Sequence, residues 1–408
     1  MRKNVKVLII ALVAIFGGGA LAFFITGFAT SGTISESFTF NYQNIPLSIE
    51  DLNLNVDLGS VDIKYNTTNT PYIVKIDVDL TISGLYMTDR QYTAFFKPAA
   101  EWWQNTTSPL TFNMKTLTEV WFNPAFWFKS YNIDVTVLLR TDVKYDIKAI
   151  TGTGAITINA PDHTILNGTH IQSGTGSLGM TIGDNVLFDG NVRAETGTGS
   201  VTMNSGATNF SQGLTLISST GSLNVNIGNN SVFGNLFNVQ TSTGGITVNA
   251  DEANFTQGLY SHTSTGSTNL YLYNCLMGDD LSSDVSTGGI TYYSYNMQYS
   301  KNIAISLKTS TGSINADIYQ YIAMGANVSG TIETSTGGID VFYRDSSVQT
   351  GVRFVSSTST GAINYTPHVS MEIISDLYQS NDYNTATSRY LFSLTTSTGN
   401  INVNAQSP

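Results

Sequence analysis

Apolar and polar residues alternate with a period of two through most of the chain, the pattern of strands with one face buried. Early on it reads Leu52-Asn53-Leu54-Asn55-Val56-Asp57-Leu58 and then Gly59-Ser60-Val61-Asp62-Ile63. Later it reads Ile156-Thr157-Ile158-Asn159, Val201-Thr202-Met203-Asn204, Leu223-Asn224-Val225-Asn226 and Ile246-Thr247-Val248-Asn249. Each of these later strands follows a Thr-Gly pair and one small residue. The glycine recurs at Gly154, Gly176, Gly199, Gly221, Gly244, Gly266, Gly288, Gly312, Gly337, Gly361 and Gly399, with intervals of 22, 23, 22, 23, 22, 22, 24, 25, 24 and 38 residues.

A fixed period of this length predicts a solenoid, in which each repeat packs only on its neighbours. The predicted fold is an all-β solenoid, a right-handed β-helix of about ten to eleven rungs of ~22–24 residues, roughly 50 Å long at one strand spacing per rung. A second apolar column, Phe188, Phe210, Phe233 and Phe255, recurs at intervals of 22, 23 and 22 and is expected to stack inside the coil. The eleven glycines are read as turn residues, because a sharp corner needs a positive φ that glycine adopts without steric cost. The threonine before each is expected to form a hydroxyl ladder up the corner. Asn-Phe-Ser-Gln-Gly-Leu at 209–214 returns as Asn-Phe-Thr-Gln-Gly-Leu at 254–259, which suggests duplication of a two-rung unit.

Residues before the array divide further. Residues 1–6 form a basic stub, and residues 7–29 carry no charge over a length able to cross a bilayer. Positive charge on the leading side alone places that end in the cytoplasm and the remainder outside. The segment is thus a transmembrane helix acting as anchor, or, given Ala20-Leu21-Ala22, a cleaved signal peptide. Residues 30–148 are read as N-terminal strands and an aromatic-rich cap, and 149–408 as the repeats. All four tryptophans, Trp102, Trp103, Trp121 and Trp127, fall among phenylalanines within 81–129. They are read either as an exposed ligand-binding surface for sugar rings or a membrane interface, or as a cap over the open end of the coil. The long last interval contains an insertion at 367–388, expected to be a C-terminal cap with one or two helical turns at 371–378; the alternative is a loop bearing a binding site.

The chain of 408 residues has a net charge of −11, and removing Arg2, Lys3 and Lys6 from that total leaves −14 for the rest. Nucleic acid is an unsuitable partner for so acidic a surface. The single cysteine, Cys275, rules out an internal disulfide and reads as a small buried hydrophobe. Polysaccharide-cleaving enzymes use β-helices too, but they need clustered carboxylates. Here Asp162, Asp184 and Asp251 stand at turns, Asp279, Asp280 and Asp284 lack a calcium-loop spacing, and His163, His170, His262 and His368 are scattered. No catalytic residue, cofactor or metal site is expected. Eight Asn-x-Ser/Thr sequons permit glycosylation without arguing for it.

The residues just described resemble the exported prokaryotic "putative adhesin" family, whose domain is a β-helix of Ser/Thr-Gly-Asp-Ile-like repeats. The likeness covers about residues 50–408: the strand and Gly-Ser-Val-Asp-Ile turn at 54–63, the Val-x-Leu-type strand near 135–139, and 145–158 leading into the repeats. This chain has Thr-Gly-Ser or Thr-Gly-Gly where the family has Ser-Gly-Asp, and its aromatic insertion at 81–129 replaces a short linker. The resemblance implies a β-helix on a cell surface. The expected function is therefore a membrane-anchored, extracellular adhesin-like or structural module that binds glycans or envelope proteins through many weak contacts without catalysis. Next in order stand an envelope scaffold or sensing component holding a protein partner and, last, a polysaccharide lyase or hydrolase.

Overall fold

The computed structural model describes residues 30–44, 49–66, 70–106, 108–117, 129–346, 350–375 and 377–406. The expected membrane segment at 7–29 lies outside them; among the described residues no helix is long and apolar enough to cross a membrane. Strands dominate, and most pair in parallel and in register with the strand one repeat away. A typical rung has three: Leu178–Ile182, Val186–Phe188 and Val192–Thr198. The first kind forms one long sheet, the other two form a second, and inward residues of all three meet in one continuous core.

The corner glycines explain why the chain can turn at each rung. From Gly154 to Gly399 their φ values run from 136° to 154°. They also stack so closely that a side chain has no room. A Cβ on Gly221 would lie 2.1 Å from the carbonyl oxygen of Gly199, and one on Gly288 would lie 1.8 Å from that of Gly266. Except at Gly361, on the outermost rung, each glycine N–H donates to the carbonyl of the threonine of the neighbouring rung, as from Gly176 to Thr198 at 2.8 Å. Gly59 has the same character, with φ 122° and its N–H on the Thr153 carbonyl, so Ile49–Leu58 and Ser60–Asn66 form a rung directly against that of Gly154.

The hydroxyl ladder lies elsewhere than expected. The threonine next to each glycine is exposed, and among the described residues no hydrogen bond links one to the next. The alternation breaks at the corner, where two consecutive residues such as Gly174 and Thr175 are both exposed. The residue three before the glycine points inward instead, and its buried hydroxyl donates to the glycine carbonyl of the preceding rung: Ser173 to Gly154, Thr196 to Gly176, Ser218 to Gly199, Thr241 to Gly221, all at 2.8–2.9 Å. These bonds give a partner to a backbone carbonyl that no N–H of the neighbouring rung reaches. Val285 breaks the series, leaving Gly266 without that donor.

Inside, Phe188, Phe210, Phe233 and Phe255 stack with centroids 5.1, 4.9 and 5.1 Å apart and planes within 5°. Parallel register imposes this face-to-face column, which Met277 and Tyr299 continue. Cys275 is fully buried nearby, and burial pushes its thiol up to about 12.

Both ends depart from the repeat. At the leading end Gly32–Tyr42, Val74–Gly84 and Lys129–Arg140 extend the first sheet, the middle strand running antiparallel to both neighbours. Phe95, Phe96, Trp102 and Phe112 are fully buried beside them. At the far end the spatial order of rungs differs from chain order. Ser388–Thr398 and Ile401–Gln406, the Gly399 rung, lie between the rungs of Gly337 and Gly361. The insertion lets the chain build the outermost rung first and return to fill the gap. Its expected helical turns are absent: Met371–Ile374 and Leu377–Ser380 form an antiparallel hairpin laid against Thr350–Thr360, because an open sheet edge is satisfied by a strand and not by a helix.

Gly221→Ala is expected to cost about 3 kcal/mol or more, from forbidden φ and the clash together, while Ser222→Ala stays within about 0.5 kcal/mol. Val285→Thr restores the missing donor and is expected to stabilise by about 1 kcal/mol, with Ser218→Ala losing a similar amount. Equilibrium unfolding of the four variants checks both statements; a tolerated Gly221→Ala would contradict the corner geometry.

Candidate functional site: an aromatic face on the long sheet

Of the four tryptophans proposed as ligand contacts, Trp102 is fully buried. Its Nε1 donates to the Lys97 carbonyl at 2.8 Å, and its ring makes edge contacts with Phe38, Tyr92 and Phe112. No ligand can stack on it. Trp103 is half-buried against the same cluster. Trp121 and Trp127 lie outside the described residues. Burial therefore corrects the expectation for Trp102, whose ring is part of the core at the leading end of the coil.

Exposed aromatics gather elsewhere, on the outer face of the long sheet. Two outward columns run along the coil there, two residues apart on each strand. The first passes through Asn204, Asn226 and Asn249, where each amide donates to the previous one at 2.7–2.8 Å, and then changes character to Tyr271, Tyr293, Asp317 and Phe342. The second passes through Asp251, Tyr273, Tyr295, Tyr319 and Arg344. All seven aromatics of the patch, counting Tyr321, are half-buried, each with part of its ring in solvent.

Four of these rings touch in succession, one per rung, zigzagging between the columns. Tyr273 and Tyr293 are 5.1 Å apart between centroids, Tyr293 and Tyr319 are 5.4 Å, and Tyr319 and Phe342 are 5.5 Å. Their planes tilt by 37–42°, unlike the interior phenylalanines, so the strip is a corrugated platform. Beside it runs a polar column, Thr291, Asn315, Asp340 and Asn402, in which Asn402 donates to Asp340 at 2.6 Å. Thr291, Asn315, Asp317, Asp340, Phe342 and Asn404 line a groove of about 410 Å³ where column and platform meet.

Asp317 sits in register between Tyr293 and Phe342. The rings desolvate its carboxylate and push its pKa above the usual value. The phenols of Tyr293 and Tyr319 are raised as well, chiefly by desolvation and then by neighbouring charge, Asp317 included. A half-covered carboxylate with no hydrogen-bond donor among the described residues is costly by itself and well suited to accept hydroxyls from a ligand.

The acids singled out in the sequence do other things. Asp279 accepts from Lys301 and Asp280 from the Ala304 N–H, which pins a turn, and Asp284 stands in a column with His262, Lys308 and Glu333, the lysine in register with an acid on either side. Among the described residues no group of three or more His, Cys, Asp or Glu is placed to hold a metal ion. The aromatic face escaped the sequence reading because tyrosine counts as strand-forming and apolar wherever it falls. The available signal was parity: in 269–273 and 291–295 the tyrosines Tyr271, Tyr273, Tyr293 and Tyr295 occupy positions that the alternation turns outward.

Asp317→Asn is expected to raise the unfolding temperature at neutral pH. The folded chain holds this proton to higher pH than the unfolded chain, whose aspartates titrate near ~3.9, so ionisation costs stability as pH rises through the folded value. The advantage of the variant should vanish below that range; an equal advantage at every pH would contradict this account of Asp317.

No family model matches the chain, and no curated protein does. Among solved structures, the chain is similar to a "putative cell adhesion protein" from Clostridium sporogenes ATCC 15579, at 9% identity and a TM-score of 0.21, over 91% of this chain and 100% of that one. A likeness of this degree carries no argument about the site.

Proposed function

We propose that the chain is a non-catalytic, adhesin-like surface module that binds glycans on the aromatic face. The observation that carries this reading is the run of four touching, half-exposed rings with hydroxyl, amide and carboxylate groups alongside. Aromatic faces cover the C–H faces of pyranose rings, and polar side chains at the edge take the hydroxyls, a division of labour seen wherever apolar contact is combined with a few placed polar groups. Repetition over several rungs supplies avidity from individually weak contacts. The coil is the rigid support, and the uncharged segment at 7–29 would tether it outside the membrane.

A second reading, a scaffold that holds a protein partner, is favoured by one feature. The hairpin at the far end exposes Ile373 and Ile374 beside its turn, apolar surface of the kind that marks protein contacts.

Binding of the purified chain to a broad glycan array, repeated with Tyr293→Ala and Tyr319→Ala, decides between them. Each substitution is expected to weaken glycan binding at least tenfold, or ~1.4 kcal/mol, with the strand signal unchanged. Glycan binding lost only on Ile373→Asp would contradict the assignment of the face.

A further inference from the structure

The arrangement of the rings restricts the kind of glycan. The contacts run along the coil axis, since Tyr273, Tyr293, Tyr319 and Phe342 belong to four consecutive rungs. A ligand using all of them must be straight over that distance and must offer one flat ring per strand spacing. Pyranoses joined β-1,4 through equatorial bonds form such an extended ribbon, with an advance per sugar close to the spacing of β-strands; α-1,4-linked chains curl away. The ribbon also turns over at each residue, so that its substituents alternate from side to side with a period of two sugars. The rings do the same, falling in the second, first, second and first column in turn.

Charge narrows the choice again. Asp317 lies within the strip and Asp340 in the groove beside it, while Arg344, in register with Tyr319, is a cation at the far edge from Asp340. A uronate ribbon would bring a carboxylate onto Asp317 in a half-desolvated setting, where like charges repel strongly. The polar column of Thr291, Asn315 and Asn402 offers hydroxyl and amide groups suited to neutral hydroxyls.

We infer that the aromatic face takes an uncharged, β-1,4-linked glycan ribbon lying along the coil axis, one pyranose against each of four rungs. The inference rests on the glycan-binding reading above. It is tested by calorimetric titration of the intact chain with three oligosaccharide series of one to six units: cello-oligosaccharides as the neutral ribbon, malto-oligosaccharides as the neutral curled chain, and β-1,4-mannuronates as the charged ribbon. Affinity for the neutral ribbon should rise several-fold with each sugar up to four and then level off. Malto- and mannuronate tetramers should bind at least tenfold more weakly, and Asp317→Asn should recover most of the mannuronate loss without strengthening the malto series. Malto-oligosaccharides binding as tightly as the ribbon, in a manner abolished by Tyr293→Ala, would overturn the ribbon and leave the glycan reading standing. Mannuronate binding as tightly as the neutral ribbon, or a mannuronate loss that Asp317→Asn does not recover, would overturn the charge selection. No binding of any series to the folded chain, alongside a glycan array without a hit, would overturn both.

Discussion

The coil depends on a close approach between backbones: the corner glycine of each rung lies against the carbonyl of the corner before it, with no space for a Cβ. Everything else about the coil follows from keeping that approach repeated. At nearly every corner the glycine N–H is used by the next rung and its carbonyl accepts from a buried Ser or Thr hydroxyl, Gly266 lacking that hydroxyl, and the strands on either side are thereby locked into register. A slip of one residue would turn every inward Ile, Leu and Val to solvent and every outward Thr and Asn into the core. Register and core composition therefore enforce each other, rung after rung.

Such a frame fixes inward positions tightly and leaves outward ones free. The interior phenylalanines stack almost face to face because parallel register puts identical residues over one another, and the same geometry acts on the outside. There it produced an amide ladder at Asn204, Asn226 and Asn249 and, farther along that column and its neighbour, the aromatic strip through Tyr273, Tyr293, Tyr319 and Phe342. One column thus passes from a self-satisfied surface to one with half-covered rings and a carboxylate that, among the described residues, has no donor. Polar groups that bond one another stabilise the rod; groups that do not are available to a ligand.

Much of the fold was legible because its period is written in glycine, the residue type with fewest substitutes at these corners. The Phe188 to Phe255 column was legible through the same period. The hydroxyl ladder was placed two residues too late: Thr175 and its equivalents are the more regular residues, but the strand leaves the core at the corner before reaching them, and the buried role falls to Ser173 and its equivalents. The ends were least legible. An insertion between Gly361 and Gly399 gives no sign in sequence that the later rung fits inside the earlier one, since that depends on which sheet edge is left open. The site was missed for a related reason. Clustering in sequence drew attention to Trp102 and Trp103, whereas Tyr273, Tyr293, Tyr319 and Phe342 are 20 or more residues apart in sequence and meet only through the stacking of rungs.

The most direct measurement is a crystal structure of the chain grown with a β-1,4-linked hexasaccharide. The account predicts sugar rings ordered along the outer face of the long sheet, over Tyr273, Tyr293, Tyr319 and Phe342, with hydroxyls on Asp317 and Asn315. Sugar bound instead against the aromatic cap around Trp103, or running across the strips of the sheet with those tyrosines uncovered, would contradict it.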